Sequence, residues 1–353
     1  MKKISFLSAL ISIYFLFGAH KANADLSQCN AVNISARLHA FCLVSLANGG
    51  AYSMGEVVQV DRALKNIGFE EGLNLGDHYQ TPRPRFSYSI KPTVYYSPNI
   101  NGGNPHKDFK IGEITFEGDS ALTKVSGTIA AVIINGNGKH NISPGSYLDY
   151  GFSLESGKAL SSNFRSQNTQ LYFCSNNHIY NWWFFDFCLE ASKNKKSLND
   201  NSNNQVSLGF SKPFLASDDS YNLASIIIKT EDISGFIQNQ LEVSFETLLR
   251  EGASVRFGLI RGDYEGSGHL LKSKAYLDSG LVFFGKPTNI FASYSKSHES
   301  KFLNLSRKDE TYTLSLSTPL SDKASISIGM EKTRSSIDYF DDEFPILLLK
   351  FEL

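Results

Sequence analysis

Through its C-terminal half the chain alternates apolar with small polar residues, and this period of two limits what it can fold into. Val206, Leu208 and Phe210 alternate with Gln205, Ser207, Gly209 and Ser211, and Leu241, Val243 and Phe245 with Glu242, Ser244 and Glu246. Tyr312, Leu314 and Leu316 alternate with Thr311, Thr313, Ser315 and Ser317, and Ala324, Ile326, Ile328 and Met330 with Ser325, Ser327, Gly329 and Glu331. Such a period places each set on one face of a strand. The polar face is mostly Ser, Thr and Gly with scattered charges rather than the Lys/Glu carpet of a typical soluble sheet, a chemistry that suits a lumen at least as well as an open surface.

Short turn signals fall near Ala216, Glu251, Lys286 and Leu320, separated by 35, 35 and 34 residues. Longer polar links lie between them: Ser192–Asn204, Glu231–Gly235, Gly266–His269, His298–Lys308 and Ser335–Asp342. Short turns at one end and long loops at the other, joined by spans of ~10 residues, are the pattern of an outer-membrane barrel. A soluble sandwich turns every ~8–12 residues and has less reason to sort its loops by length. The fold expected is all-β: an outer-membrane antiparallel β-barrel of about 14 strands, spanning 85–353, with a short N-terminal helical periplasmic element.

Residues 1–24 read as a signal peptide. Lys2 and Lys3 are its basic end, Ile4–Ala19 its apolar stretch, and Ala22-Asn23-Ala24 a small-x-small site cleaved after Ala24. No later segment is long and apolar enough for a transmembrane helix, and the mean hydropathy of -0.20 suits a barrel whose strands are half polar. The expected location is the outer membrane of a Gram-negative cell, in contact with its lipid. A net charge of -1 implies no nucleic-acid partner. Four cysteines in an exported chain favour disulfides, paired by proximity as Cys29 with Cys42 and Cys174 with Cys188. No pair has the spacing of a metal knuckle.

Residues 25–84 read as a small periplasmic element and linker. Ile34, Leu38, Phe41 and Cys42 have helical spacing within Asn33–Leu46, as do Val57, Val60, Leu64 and Ile67 within Glu56–Ile67. The element either plugs the lumen or is a packed extension with no gating role, and the extension is preferred. Thr81-Pro82-Arg83-Pro84 is a stiff lead into the sheet. Fifteen candidate strands follow, at 85–97, 109–117, 121–134, 146–156, 164–174, 178–190, 205–213, 221–230, 237–249, 253–264, 271–284, 288–297, 310–318, 323–334 and 344–353. Bacterial single-chain barrels have even counts, so one is surplus. The gap from a turn-like stretch at Lys158–Ser162 to Ala216 fits neither one hairpin nor two, which points to His178–Leu189. The preferred reading there is a disulfide-closed constriction loop carrying Trp182, Trp183, Phe184 and Phe185. The alternative is a wall strand with an interfacial aromatic girdle.

Two stretches carry a family resemblance. Val94-Tyr95-Tyr96-Ser97-Pro98-Asn99-Ile100-Asn101-Gly102-Gly103 resembles the first-strand signature of surface lipoprotein assembly modifier barrels. Arg334-Ser335-Ser336-Ile337-Asp338-Tyr339-Phe340-Asp341, with the strand after it, is similar to that family's last hairpin. The last strand has Leu347, Leu349, Phe351 and Leu353 on one face and ends in Leu, where many such barrels end in Phe or Trp. The resemblance implies a fourteen-strand barrel that helps move a protein substrate to the cell surface. The family's N-terminal helical repeats have no counterpart in the sixty residues that stand in their place here.

No catalytic constellation emerges. His39, His78, His106, His140, His178, His269 and His298 have no hydrolase or zincin spacing. His140, His269 and His298 read as solvated loop residues, and His178 as packing beside the aromatic run. Asp338, Asp341, Asp342 and Glu343 crowd one loop and read as a solvated acidic tip rather than a cation site. Neither cofactor nor metal is expected, and no enzymatic activity. The charges on polar faces matter more: Glu242 and Glu246, then Arg256, then Lys272, Lys274 and Asp278 are candidates to line the lumen with both signs. They predict weak ion selectivity or an internally cross-linked, narrow pore, with cross-strand ion pairs that only hold register as the preferred alternative. The function expected is export or surface display of a protein substrate. The alternative is a passive small-solute porin, and the second alternative a soluble secreted β-protein that binds a partner.

Overall fold

The computed structural model describes residues 29–47, 58–63, 85–111, 113–143, 145–217, 220–249, 252–264 and 270–351. The expected signal segment 1–24, the expected linker at Thr81–Pro84, His78, His269 and the expected turn residue Glu251 lie outside them.

The strands, in chain order, are β1 (Arg85–Ser97), β2 (Asp108–Ile111), β3 (Ile114–Glu117), β4 (Gly127–Ser143), β5 (Ser146–Ala159), β6 (Arg165–Tyr180), β7 (Trp183–Lys195), β8 (Asp200–Ser217) and β9 (Ser220–Ile233). They continue as β10 (Phe236–Leu249), β11 (Ala253–Asp263), β12 (Leu271–Phe283), β13 (Lys286–Ser297), β14 (Ser300–Phe302), β15 (Leu305–Arg307), β16 (Asp309–Ser321), β17 (Ala324–Ser335) and β18 (Asp342–Phe351). Fourteen of them close into one barrel, in the order β1-β18-β17-β16-β13-β12-β11-β10-β9-β8-β7-β6-β5-β4. The first and last strands pair, with Thr93 opposite Lys350 and Tyr96 opposite Leu347. Closure leaves no edge with unpaired backbone groups, the condition for a sheet to sit in lipid. The two strand pairs outside the wall, β2–β3 and β14–β15, are hairpins in loops.

The period-two pattern sorts as expected. Leu241, Val243 and Phe245 of β10 point out and are exposed, while Gln240 and Glu246 point in and are buried. β8 does the same, with Val206, Leu208 and Phe210 outside and Ser207 and Ser211 inside. An apolar exterior and polar interior are the arrangement of a membrane barrel, and the chain is an outer-membrane barrel protein.

The surplus strand is not the one expected. Residues 183–195 are the wall strand β7, paired to β6 along its length, and 108–117 forms the external β2–β3 hairpin. The constriction-loop reading of Trp182–Phe185 is therefore overturned. Asn181 and Trp182 have φ of 45° and 63°, the positive values of the tight turn that matches hairpin twist. An Asn-Trp pair lacks the glycine that usually marks this turn. The stretch at 159–165 lies instead at the loop end. Short turns now fall between β4 and β5, β6 and β7, β8 and β9, β10 and β11, β12 and β13, and β16 and β17.

Cys174 and Cys188 are directly opposite on β6 and β7 and bonded, with Cα atoms 4.1 Å apart. Cys29 and Cys42 are bonded as well, their Cα atoms 5.7 Å apart. The second of these ties residues 29–35 to helix α1 (Ala36–Ala47).

Candidate functional site: the lumen and its two obstructions

Helix α1 does not sit beside the barrel. It lies in the turn end of the lumen. Leu38, Cys42, Leu43 and Leu46 pack with Val60 and Ala63 of helical residues 58–63 and with Phe184, Tyr221, Leu223 and Leu248 of the wall. Phe41 meets Trp182 edge-on at 5.0 Å. The aromatic run thus divides by parity. Trp182 and Phe184 cradle the helix, while Trp183 and Phe185 face outward, against Lys212 and Phe210 respectively. Trp183 at that level suits the membrane interface.

Polar contacts fix the helix in register. Val32 N–H donates to Gly252 O at 3.1 Å, and Ser254 Oγ donates to Val32 O at 2.6 Å. Asn33 Nδ2 donates to Asp278 Oδ1 at 3.0 Å and to Asn289 Oδ1 at 3.3 Å. The wall makes room at Gly280, where a Cβ would stand 1.9 Å from Val32 O. Two charges complete the docking. Arg37 Nη1 donates to Asp186 Oδ2 at 2.7 Å and to Ser211 Oγ at 2.8 Å, and its guanidinium lies 4.3 Å from the Phe184 ring centre. Glu246, 2% exposed, accepts from Ser35 N–H at 2.7 Å and from Arg256 Nη2 at 3.0 Å. A carboxylate at the first turn of a helix meets its positive end.

Four of the six charged residues singled out from sequence converge on this docking site or border it. Glu246, Arg256 and Asp278 hold the helix and its lead-in. Glu242 accepts from Tyr276 Oη at 2.7 Å and pairs with Lys229 at 3.3 Å. Tyr276 reaches it by lying across Gly258, where a Cβ would stand 2.2 Å from the ring. Lys274 is 5.6 Å from the Phe291 ring centre, further along the wall. Lys272 stands apart: it is exposed, in the bulge between Leu271 and Ser273 at the loop end.

Above the helix a cavity of about 320 Å³ remains. Its lining includes Ser35, Arg37, Tyr147, Asp186, Glu242 and Arg256. Both signs of charge face it.

The loop end has its own obstruction. After β1 the chain turns at Gly102, with φ of 78°, and Ile100 folds in against Ile129, Ala131, Ala159, Tyr95 and Phe164. Asn101, 1% exposed, organises the turn: Nδ2 donates to Thr123 O at 2.8 Å, while Oδ1 accepts from Val125 N–H at 2.9 Å and Gly103 N–H at 3.3 Å. Leu198 N–H donates to Asn101 O at 2.7 Å and Lys196 Nζ to Asn99 O at 2.8 Å. Segment 98–104 therefore reaches from β1 past β4, β5 and β6 to the loop between β7 and β8. Burial there pushes the Lys196 ammonium below its ordinary pKa. Lys124 pairs with Asp342, and His106 contacts Asp341 O at 2.8 Å, tying the same loop to the β17–β18 connection.

The remaining candidates disperse. His140 lies on β4 rather than in a loop, and His298 contacts Gly262 O at 3.0 Å. His178 Nε2 accepts from Trp182 N–H at 3.3 Å. The acidic tip is broken up by its partners. Asp341 accepts from Ser335 N–H at 2.6 Å, Asp342 pairs with Lys124, and Glu343 pairs with Lys332. Among the described residues no three His, Cys, Asp or Glu side chains gather as metal ligands would. Sequence reasoning missed Asn33, Ser35, Arg37 and Asp186 on one side and Ile100 and Asn101 on the other. Only the apolar spacing of α1 and the Gly102-Gly103 pair hinted at them.

No family model matches the chain, and no curated protein matches it. Solved structures similar to it include a BenF-like porin from Pseudomonas fluorescens Pf-5, at 9% identity and TM-score 0.41, covering 77% of this chain and 99% of that one. Acinetobacter baumannii OccAB3 follows at 7% identity and TM-score 0.42, covering 77% and 99%, and Pseudomonas aeruginosa OccK9 at 10% and 0.41, covering 77% and 98%. The barrel itself is established by its own strand pairing. The expectation of an export or display helper is corrected here: the described N-terminal residues, which stand where the resembled family carries its substrate-engaging repeats, are packed into the lumen instead.

Proposed function

We propose that the protein is a channel for small polar solutes across the outer membrane, held narrow by two segments of its own chain. The observation that carries this reading is the cavity above α1, lined by Arg37, Arg256, Asp186 and Glu242 inside a closed wall. Both signs line it, which favours weak ion selectivity and neutral or zwitterionic solutes over strongly charged ones. Helix α1 serves as the plug at the turn end and segment 98–104 as the lid at the loop end. Segment 1–24 directs export and is cleaved after Ala24. No step of this function requires a catalytic residue.

The test is planar-bilayer conductance of the full-length mature protein. Small, stepwise, ohmic openings with a cation-to-anion permeability ratio near unity are the expected result. A silent bilayer, both for the native protein and for a Gly280→Val variant with no room for the plug, would sink the reading.

A further inference from the structure

The outer surface of the barrel carries a basic patch that the channel does not use. Lys158 of β5 is in register with Arg165 of β6, and Lys193 and Lys195 of β7 are in register with Thr169 and Gln167 of β6. All four cations are exposed. They have the parity of Leu154, Leu171, Phe173 and Leu189, the lipid-facing residues of the same strands. Among the described residues their one ion pair is Lys193 with Asp200, at 3.2 Å. Across the ring, two outward cations are matched: Lys296 by Glu310 at 3.0 Å, and Lys332 by Glu343.

The height of the patch is set by β7. Lys193 lies ten residues beyond the interfacial Trp183. At ~3.3 Å per residue and ~40° of tilt, that is ~25 Å along the membrane normal, the height of the apolar band. The cations therefore stand at the opposite interface, at the loop end, where the outer leaflet presents its headgroups. Beneath them run two apolar crevices. One, of about 560 Å³, has Val94, Ala130, Val132 and Ser156 below Lys158 and Arg165. The other, of about 480 Å³, has Leu171, Phe173, Leu189, Ala191 and Val206 below Lys193.

We propose that Lys158, Arg165, Lys193 and Lys195 bind the phosphates of an acylated glycolipid of the outer leaflet, with acyl chains in the two crevices. Guanidinium and ammonium groups suit phosphate oxygens, and a cluster at a membrane surface adds their attractions. The crevices explain why a lipid-borne phosphate, rather than a free one, is the occupant.

The experiment is native mass spectrometry of the full-length barrel in detergent, titrated with a diphosphorylated, hexa-acylated glucosamine disaccharide. The native protein binds it. The combined variant Lys158→Gln, Arg165→Gln, Lys193→Gln, Lys195→Gln weakens binding by at least about tenfold, while Lys296→Gln with Lys332→Gln changes nothing. Heat-modifiable migration checks folding, and Lys193→Gln with Lys195→Gln serves if the fourfold variant does not fold. Equal binding by native and variant proteins overturns the proposal, as does equal binding of the dephosphorylated lipid. Displacement by millimolar inorganic phosphate overturns it in favour of a free-anion site. Conductance is read separately, so failure here leaves the channel reading intact.

Discussion

The carboxylate of Glu246, on the lumen wall, accepts the backbone N–H of Ser35 at 2.7 Å, so the barrel itself caps the first turn of the helix that fills it. The same carboxylate takes Arg256 at 3.0 Å. One buried side chain thus joins two wall strands and the plug. Breaking that junction should act on the plug before it acts on the barrel, whose closure rests on backbone pairing.

Glu246→Gln keeps the shape and removes the charge. Arg256 loses its counter-ion and the helix its anionic cap. A charge-assisted bond of this kind contributes about 1–2 kcal/mol, so the ratio of open to closed time in a planar bilayer should rise roughly 5- to 30-fold. Unchanged gating with intact folding would show that the cap does not hold the plug.

Arg37 and Asp186 form the second anchor, and their coupling is measurable. Arg37→Asp and Asp186→Arg alone should each open the channel, and the double exchange should restore much of the closed state. A coupling energy of about 1–3 kcal/mol is expected from the double-mutant cycle in open probability. Additive effects would refute the pairing as the source of docking strength.

Gly280 tests the plug by sterics alone. A Cβ there would collide with Val32 O, so Gly280→Val should displace residues 29–35 from the wall. Larger conductance with unaltered heat-modifiable migration is the expected pair of results. A barrel that no longer folds would place the glycine in the wall's own stability instead.

Burial holds the His39 imidazole below its ordinary pKa of 6.5 in the docked helix. A released plug would carry a histidine near ~6.5. The released state then binds more protons, so docking weakens as pH falls from above 6.5 through the lowered value. Open probability should rise on acidification from pH ~7.5 toward ~5. His39→Gln should remove the part of that rise that belongs to this side chain, and a profile identical to the native one would discount it.

Asn101→Ala should loosen the lid and leave the plug untouched. Its side chain satisfies Val125 N–H in a buried turn, whereas Gly103 N–H keeps Asn99 Oδ1 at 2.9 Å, and the one orphaned donor costs about 1–3 kcal/mol. Amide exchange at Val125 should accelerate while exchange within α1 stays the same. Equal protection in the variant would mean that the backbone alone holds the turn.

Much of the wall was legible in the residues. Alternation located strands such as 85–97, 253–264 and 323–334 close to their observed bounds, because an outward residue must meet lipid and an inward one water, whatever its neighbours are. The aromatic run misled for a related reason. Trp182, Trp183, Phe184 and Phe185 are apolar on both faces, so they break the alternation that marks a wall strand. They do so because one face meets lipid and the other meets the plug.

By itself the sequence determined a closed sheet with an apolar exterior and the hairpin rhythm, since these depend on parity, and it suggested both cysteine pairings through their short separations along the chain. What fills the cylinder was decided only in three dimensions. Ser35 and Glu246 are 211 residues apart, and Arg37 and Asp186 are 149 apart. No local pattern announces such partners, because they meet only after the sheet has closed and brought its polar faces around a single space.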